Sequence, residues 1–314
     1  MTEVVLSLIA GLVLFLFAIS NLSETLQHAL GDRARHWIRR YTSNTFSGLL
    51  VGVVVTTLLD SSSAVIILTI VLVNSKVLTF RQAMGIVLGA NIGTTVSSQI
   101  IAMDFGKFSP VFLLIGFVLL MLARSEKVST IGKAILYFGV LFFGLFTMEN
   151  AVEPLRERPF FGEWMKQTEN PLIGALVGAL VTVIIQSSSA TVGMAIILSK
   201  KGLLSLTGGI AVMLGSELGT CSDTLLATIK GSRQAVKTGL FHVTFNLMSI
   251  VLGLLLFDSL VDLVTWLSQG ATVERSLANA HMLFNILGVM LFVGTIPVFE
   301  RLLNRLLPDR EASL

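Results

Sequence analysis

Residues 48–100 read GLLVGVVVTTLLDSSSAVIILTIVLVNSKVLTFRQAMGIVLGANIGTTVSSQI, and residues 174–226 read GALVGALVTVIIQSSSATVGMAIILSKKGLLSLTGGIAVMLGSELGTCSDTLL. Superposed at a constant shift of 126, without a gap, the two stretches agree at 17 of 53 positions. The agreements include the Gly-x3-Gly pairs Gly48/Gly52 and Gly174/Gly178, both Ser-Ser-Ser-Ala blocks, and the ends Gly89–Thr94 and Gly215–Thr220. Apolar identities alone could be compositional. Three consecutive hydroxyls at the same place in two apolar stretches could not.

The composition sets the class. With 54% apolar residues, 13% charge and a mean hydropathy of +0.85 over 314 residues, the chain reads as an all-α integral membrane protein. A net charge of +3 gives no reason to expect nucleic acid. A lone cysteine, Cys221, excludes an internal disulfide and a thiolate metal cluster. The N-terminus lacks the basic region and small-residue cleavage site of a secretory signal, so it is expected to be a retained first helix.

Working outward, the order expected in repeat 1 (1–125) is a helix at 4–20, a polar loop at 22–45, a hairpin at 46–73, a broken helix at 78–103 and a helix at 110–123. Repeat 2 (126–257) would hold a helix at 131–148, an acidic loop at 149–170, a hairpin at 171–199, a broken helix at 204–229 and a helix at 238–257. A loop, one further helix at 277–299 outside the repeat and a tail complete residues 258–314. The stretch 46–73 exceeds the roughly 20 residues of one span and carries its polar residues at the centre, where lipid tolerates them least. A re-entrant hairpin resolves this, with irregular backbone surrounded by protein or water. Two re-entrant hairpins leave three crossings per repeat, so the second repeat would be inverted relative to the first. With the N-terminus outside and the C-terminus cytoplasmic, 15 of the 22 Lys and Arg fall inside and 7 outside, as the positive-inside rule asks. The count is 14 to 8 if the interrupted segments span fully, so charge hardly separates the two topologies.

A half-helix ending within the membrane offers free N–H groups and a positive dipole end to an anion. Free carbonyls and hydroxyls at the opposite ends suit a hard cation. The candidates at an anion site are Ser61, Ser62, Ser63, Ser187, Ser188, Ser189, Thr94 and Thr220. Those at a cation site are Asp60, Gln186, Asn91, Thr95, Glu217 and Ser222. Asp60 stands at the repeat position of Gln186, and Glu217 at that of Asn91. Both acids are also candidate proton carriers, and Asp223, opposite Ser97 in the repeat, is a third acid near them. The bland alternative is serines that back-bond to their own helices and pack them. His242/Asn246 and His281/Asn285 each put His and Asn on one helix face, as an interhelical contact or a proton relay.

At these residues the chain resembles the type II sodium/phosphate cotransporter family. Gln186-Ser187-Ser188-Ser189 matches that family's signature, Gly89-Ala90-Asn91-Ile92-Gly93-Thr94 matches its helix break, and the His-x-x-Phe-Asn helices are similar to bacterial members. The resemblance covers about residues 1–299. It implies sodium-coupled movement of inorganic phosphate by alternating access, in a bacterial member without the soluble C-terminal regulatory domain. No cofactor is implied beyond sodium as coupling ion, or protons; a transition metal is not expected. Asp60 departs from the expected glutamine and Glu217 from the expected asparagine, which opens the choice between sodium and proton coupling. The expected partners are phosphate or a similar oxyanion, sodium and the lipid bilayer of the cell (inner) membrane, with a homodimer open. Two other readings are an intramembrane serine hydrolase, which needs a base within reach of the nucleophile, and a channel or non-transporting sensor on the same fold.

Overall fold

The computed structural model describes residues 2–103, 105–155, 159–229 and 231–308, and all regular structure among them is helical. Fifteen α-helices follow in order: α1 Thr2–Tyr41, α2 Thr45–Leu59, α3 Ser62–Asn74, α4 Phe80–Ile101, α5 Ser109–Met121, α6 Glu126–Val152, α7 Pro159–Gln167, α8 Pro171–Ile185, α9 Ser188–Lys200, α10 Leu206–Gly219, α11 Cys221–Thr228, α12 Arg233–Leu255, α13 Phe257–Leu267, α14 Val273–Val293 and α15 Ile296–Leu306. Helices α1, α4, α6 with its 3-10 extension, α12 and α14 are long and apolar enough to cross a bilayer. A sixth such segment results if α7 and α8, bent by 98° at their junction, form one span. The chain is an all-α, multi-pass membrane protein.

The repeat is carried by the helices themselves. Adding 126 to α2 and α3 gives the bounds of α8 and α9, residue for residue, and adding it to the start of α4 gives the start of α10. Local capping explains where they begin. Asn44 and Thr79 close reciprocal capping boxes with Ser47 and Gln82, and Asn170 caps α8 ahead of Pro171.

Within each repeat the glycines form the packing seam. Cβ atoms at Gly52 and Gly89 would meet backbone of α4 and α2 respectively; Cβ atoms at Gly178 and Gly215 would do the same to α10 and α8. The Gly-x3-Gly pairs therefore bring backbone against backbone. One large apolar core joins Phe15, Phe142, Met213 and Phe284; a second gathers Ile38, Ile66, Met84, Phe241 and Phe299.

Several expected boundaries are corrected. The loop expected at 22–45 is helical to Tyr41, because Leu22, Leu26, Leu30, Ala34 and Ile38 recur every fourth residue; Ala34 and Ile38 are buried in the second core. The break expected within 78–103 is absent, and α4 is continuous. Its polar side chains bond within the helix instead: Asn91 Nδ2 to Val87 O at 2.9 Å, Thr94 Oγ1 to Ala90 O at 3.0 Å and Thr95 Oγ1 to Ile92 O at 2.7 Å. Its glycines serve the seam. In 204–229 the interruption is confined to Thr220, itself αR, between α10 and α11. The acidic loop contains α7, and the loop after 257 contains α13, whose Phe257, Leu260 and Val264 are buried on one face. The additional helix ends at Val293, and α15 follows beyond Gly294-Thr295.

Candidate functional site

Of the three described non-glycine residues with positive φ, Asp60, Lys76 and Gln186, two are repeat-related positions that interrupt the apolar stretches. Asp60 (φ 50°, ψ 34°) and Gln186 (φ 60°, ψ 29°) are both left-handed, a conformation that side chains other than Gly, Asn and Asp rarely take. The next residue in each case, Ser61 or Ser187, is extended and caps the following helix. Ser61 Oγ accepts from Ala64 N at 3.1 Å and Ser187 Oγ from Ala190 N at 3.2 Å. The first serine of each triplet is thus a helix cap. The second and third open α3 and α9, where Ser62, Ser188 and Ser189 are buried and Ser63 is half-buried. The polar interruptions expected at the centres of 46–73 and 171–199 therefore fall at breaks between two helices, α2/α3 and α8/α9.

Around the first tip, Asp60 accepts a hydrogen bond from Ser97 Oγ of α4. Ser23 Oγ of α1 donates to Leu59 O at 3.1 Å, occupying one carbonyl at the end of α2. Thr56 Oγ1 is buried with no hydrogen-bond partner among the described residues. Its repeat counterpart Thr182 donates to Thr191 Oγ1 at 2.8 Å, and Thr191 stands where repeat 1 has Val65. Sequence reading missed Thr56, although its place within a Thr-Thr pair four residues before Asp60 was visible. Gln186 turns outward, its Nε2 donating to Val183 O of its own helix.

Glu217 lies elsewhere. Its side chain is buried at 4% exposure, and Oε1 is 2.6 Å from Nε2 of the fully buried His281 in α14. His281 Nδ1 is 2.7 Å from Ser98 Oγ in α4. With Glu217 ionised, Nε2–H donates to the carboxylate and Ser98 donates to Nδ1. His242 of α12 repeats the pattern: Nδ1 lies 3.0 Å from Thr224 Oγ1, and Nε2 lies 3.1 Å from Asn246 Nδ2. Asn246 Nδ2 also faces Cys221 Sγ and Glu217 O, both at 3.3 Å. Asn285 Nδ2 donates to His281 O at 3.1 Å. His242, Asn246 and His281 thus tie helices together, while the bond given for Asn285 stays within α14. Thr220 and Ser222 bond back to Ser216 O at 3.1 Å and Gly219 O at 2.9 Å. The side chain of Asp223 lies outside the described residues.

The structure thus joins Asp60 to Ser97, and Glu217 to His281 and Ser98. The contacts given for Asn91, Thr94, Thr95, Thr220 and the caps lie largely within their own helices. Both nitrogens of His242 and of His281 are engaged by residues outside the serine triplets, so neither ring is poised as a base for a triplet serine. Chemically, the two tips offer helix N-termini rimmed by hydroxyls, one beside a carboxylate, which suits an oxyanion near a hard cation.

The family described as Na+/Pi-cotransporter matches residues 14–150 and 158–295. A Bacillus subtilis protein named "Uncharacterized protein YqeW" is 28% identical over 308 residues, covering 98% of this chain and 99% of that one. A Salmonella typhimurium protein named "Putative inorganic phosphate export protein YjbB" is 22% identical over 305 residues, 97% of this chain and 56% of the relative. The chain thus spans about half the length of that relative. The human "Sodium-dependent phosphate transport protein 2B" is 36% identical over 98 residues, 31% of this chain and 14% of its own. No solved structure gave a significant match.

Proposed function

The chain belongs to the Na+/Pi-cotransporter family, a family of transporters and not of enzymes, and from that premise we propose that it moves inorganic phosphate across the cell membrane by alternating access, coupled to a cation gradient. The observation that carries the proposal is the pair of left-handed breaks at Asp60 and Gln186, each followed by a serine-capped helix. In this reading the hairpins are re-entrant, the repeats inverted, the N-terminus outside and the C-terminus cytoplasmic. Ser61–Ser63 and Ser187–Ser189 receive the phosphate oxygens through hydroxyls and helix N–H groups, with Thr94 and Thr220 near them. Asp60, with Thr56 as an added oxygen donor, and Gln186, Asn91, Thr95, Glu217 and Ser222 serve the coupling cation, sodium or proton. A carboxylate beside a phosphate dianion repels it unless a cation or proton neutralises the carboxylate, so the coupling ion binds first or together with substrate.

Radiolabelled phosphate uptake into proteoliposomes, under a sodium gradient, a proton gradient or neither, tests this. Accumulation under one gradient, lost in Ser62→Trp and Ser188→Trp variants that still insert, supports it. Normal flux in both variants, or no flux under any gradient from folded wild-type protein, sinks it.

A further inference from the structure

Asp60 has a second face. Besides its bond to Ser97, it borders a half-open cavity of about 360 Å³ lined by residues of α1, α2, α4, α5 and α6. That volume is in the range of small-ligand pockets, about 300–1,000 Å³. The walls are apolar, and the polar side chains reaching the cavity, Thr57, Asp60 and Ser97, come from α2, α4 and the break between α2 and α3. Among the described residues, no Lys, Arg or His lines it. Part of the lining is aromatic: Phe112, Phe138 and Phe142 border the cavity, Phe112 and Phe138 packing edge-on with centroids 5.0 Å apart and Phe138 and Phe142 tilted with centroids 4.8 Å apart. An apolar chamber lined by one carboxylate and three aromatic rings suits one chemistry, a cation carried on apolar groups. The end of α2 adds carbonyl dipoles of the same sign as the carboxylate, while Ser61 caps one N-terminal donor of α3, Ala64 N–H. At the tip of repeat 2 the corresponding residue, Gln186, is neutral and turns outward.

We propose that the cavity lined by Asp60, Phe112, Phe138 and Phe142 is a binding site for lipophilic organic cations, such as quaternary ammonium or phosphonium compounds. The site adjoins the first tip at Asp60 and is lined by none of the triplet serines. An occupant holds the Asp60 carboxylate from the cavity side and competes there with any small cation that uses it.

Tetraphenylphosphonium and tetraphenylborate, matched in shape and opposite in charge, form the probe pair. Their binding is measured on the full chain in nanodiscs of zwitterionic lipid, with empty nanodiscs subtracted. The expected result is saturable phosphonium binding with none for the borate. Asp60→Asn should weaken it by about tenfold or more, Asp60→Glu should keep most of it, and Ala134→Phe, which fills the chamber from α6 and leaves Asp60 intact, should abolish it. Equal binding of both probes, absence of phosphonium binding, or phosphonium binding unchanged in both Asp60→Asn and Ala134→Phe overturns the proposal. The assay contains neither phosphate nor a gradient, so its failure leaves the transport reading standing, and loss of transport leaves this site to be judged by its own result.

Discussion

Ser98 and Thr224 stand 126 positions apart, and each places its hydroxyl against the Nδ1 of a histidine, His281 for Ser98 at 2.7 Å and His242 for Thr224 at 3.0 Å. Helix α14, which has no counterpart in the sequence repeat, therefore does for repeat 1 what α12 does for repeat 2. The environments differ at the other ring nitrogen, which meets a carboxylate in His281 and an amide in His242.

Loss of His281 should be the more damaging of the two. His281→Ala strands a buried carboxylate and a buried hydroxyl, a change on the order of 3–5 kcal/mol. Ser98→Ala leaves one ring nitrogen without a partner, about 1–3 kcal/mol. Thermal unfolding in detergent should rank His281→Ala well below Ser98→Ala; the reverse order would remove the Glu217 pairing from the account.

At Asp60 the backbone and the charge make separate demands. Asn accepts the left-handed conformation, whereas a β-branched residue does not. Asp60→Asn should therefore fold with little loss of stability yet alter cation dependence of phosphate flux, and Asp60→Val should lose stability as well. Equal thermal midpoints for the two variants would contradict the role of the turn.

The glycine seam predicts a contrast among similar substitutions. Gly215→Ala drives a methyl into the Ala175 carbonyl, and Gly89→Ala does the same at Leu49, whereas at Gly31 a Cβ meets nothing within 4 Å. Gly31→Ala should be neutral or slightly stabilising. The two seam variants should lose folded yield on size-exclusion chromatography.

Capping carries a smaller, graded effect. Ser187→Ala removes the acceptor for Ala190 N and should cost about 1 kcal/mol, while Ser187→Asp keeps a cap. An unchanged midpoint in Ser187→Ala would show that the cap contributes nothing measurable there.

The turn after α9 is tied to α6 by charge. Lys200 Nζ meets Glu149 at 2.7 Å, and Lys201 Nζ meets Glu153 at 2.6 Å and Glu149 at 3.2 Å. The hydrogen bond that the Lys201 ammonium donates to Glu153 is the largest influence on it; with Glu149 it outweighs desolvation and holds the group above its ordinary 10.5. A raised lysine pKa means the contribution is complete below that ordinary value and fades as pH climbs through the raised one. The thermal difference between wild type and Lys201→Met should thus be flat through neutral and mildly alkaline pH and shrink only above the ordinary lysine range. Its disappearance near neutrality would refute the pairing.

The tips were legible because polar residues in the middle of an apolar stretch have few explanations, and the repeat doubled the signal. The continuity of α4 was not, since Asn91, Thr94 and Thr95 satisfy themselves by back-bonding, and a residue string does not distinguish that from a break. The length of α1 was concealed by its arginines, although the four-residue recurrence from Leu22 to Ile38 was present to be read. The partners of the acids were out of reach in a different sense. Glu217 and His281 are 64 residues apart and Ser98 and His281 are 183 apart, and nothing local in either segment names the other.

Helices α2 and α3, at 15 and 13 residues, are each too short to cross a bilayer that takes about 20. During synthesis α2 has no stable home until α4, its backbone-to-backbone partner, has emerged behind it. From the start of α2 at Thr45 to the start of α4 at Phe80 the chain runs 35 residues, and from α8 at Pro171 to α10 at Leu206 it runs 35 again, so each short helix precedes its packing partner by the same interval. A ribosomal pause placed inside either interval would favour a chain that inserts its long helices correctly and leaves its short ones stranded at the membrane surface.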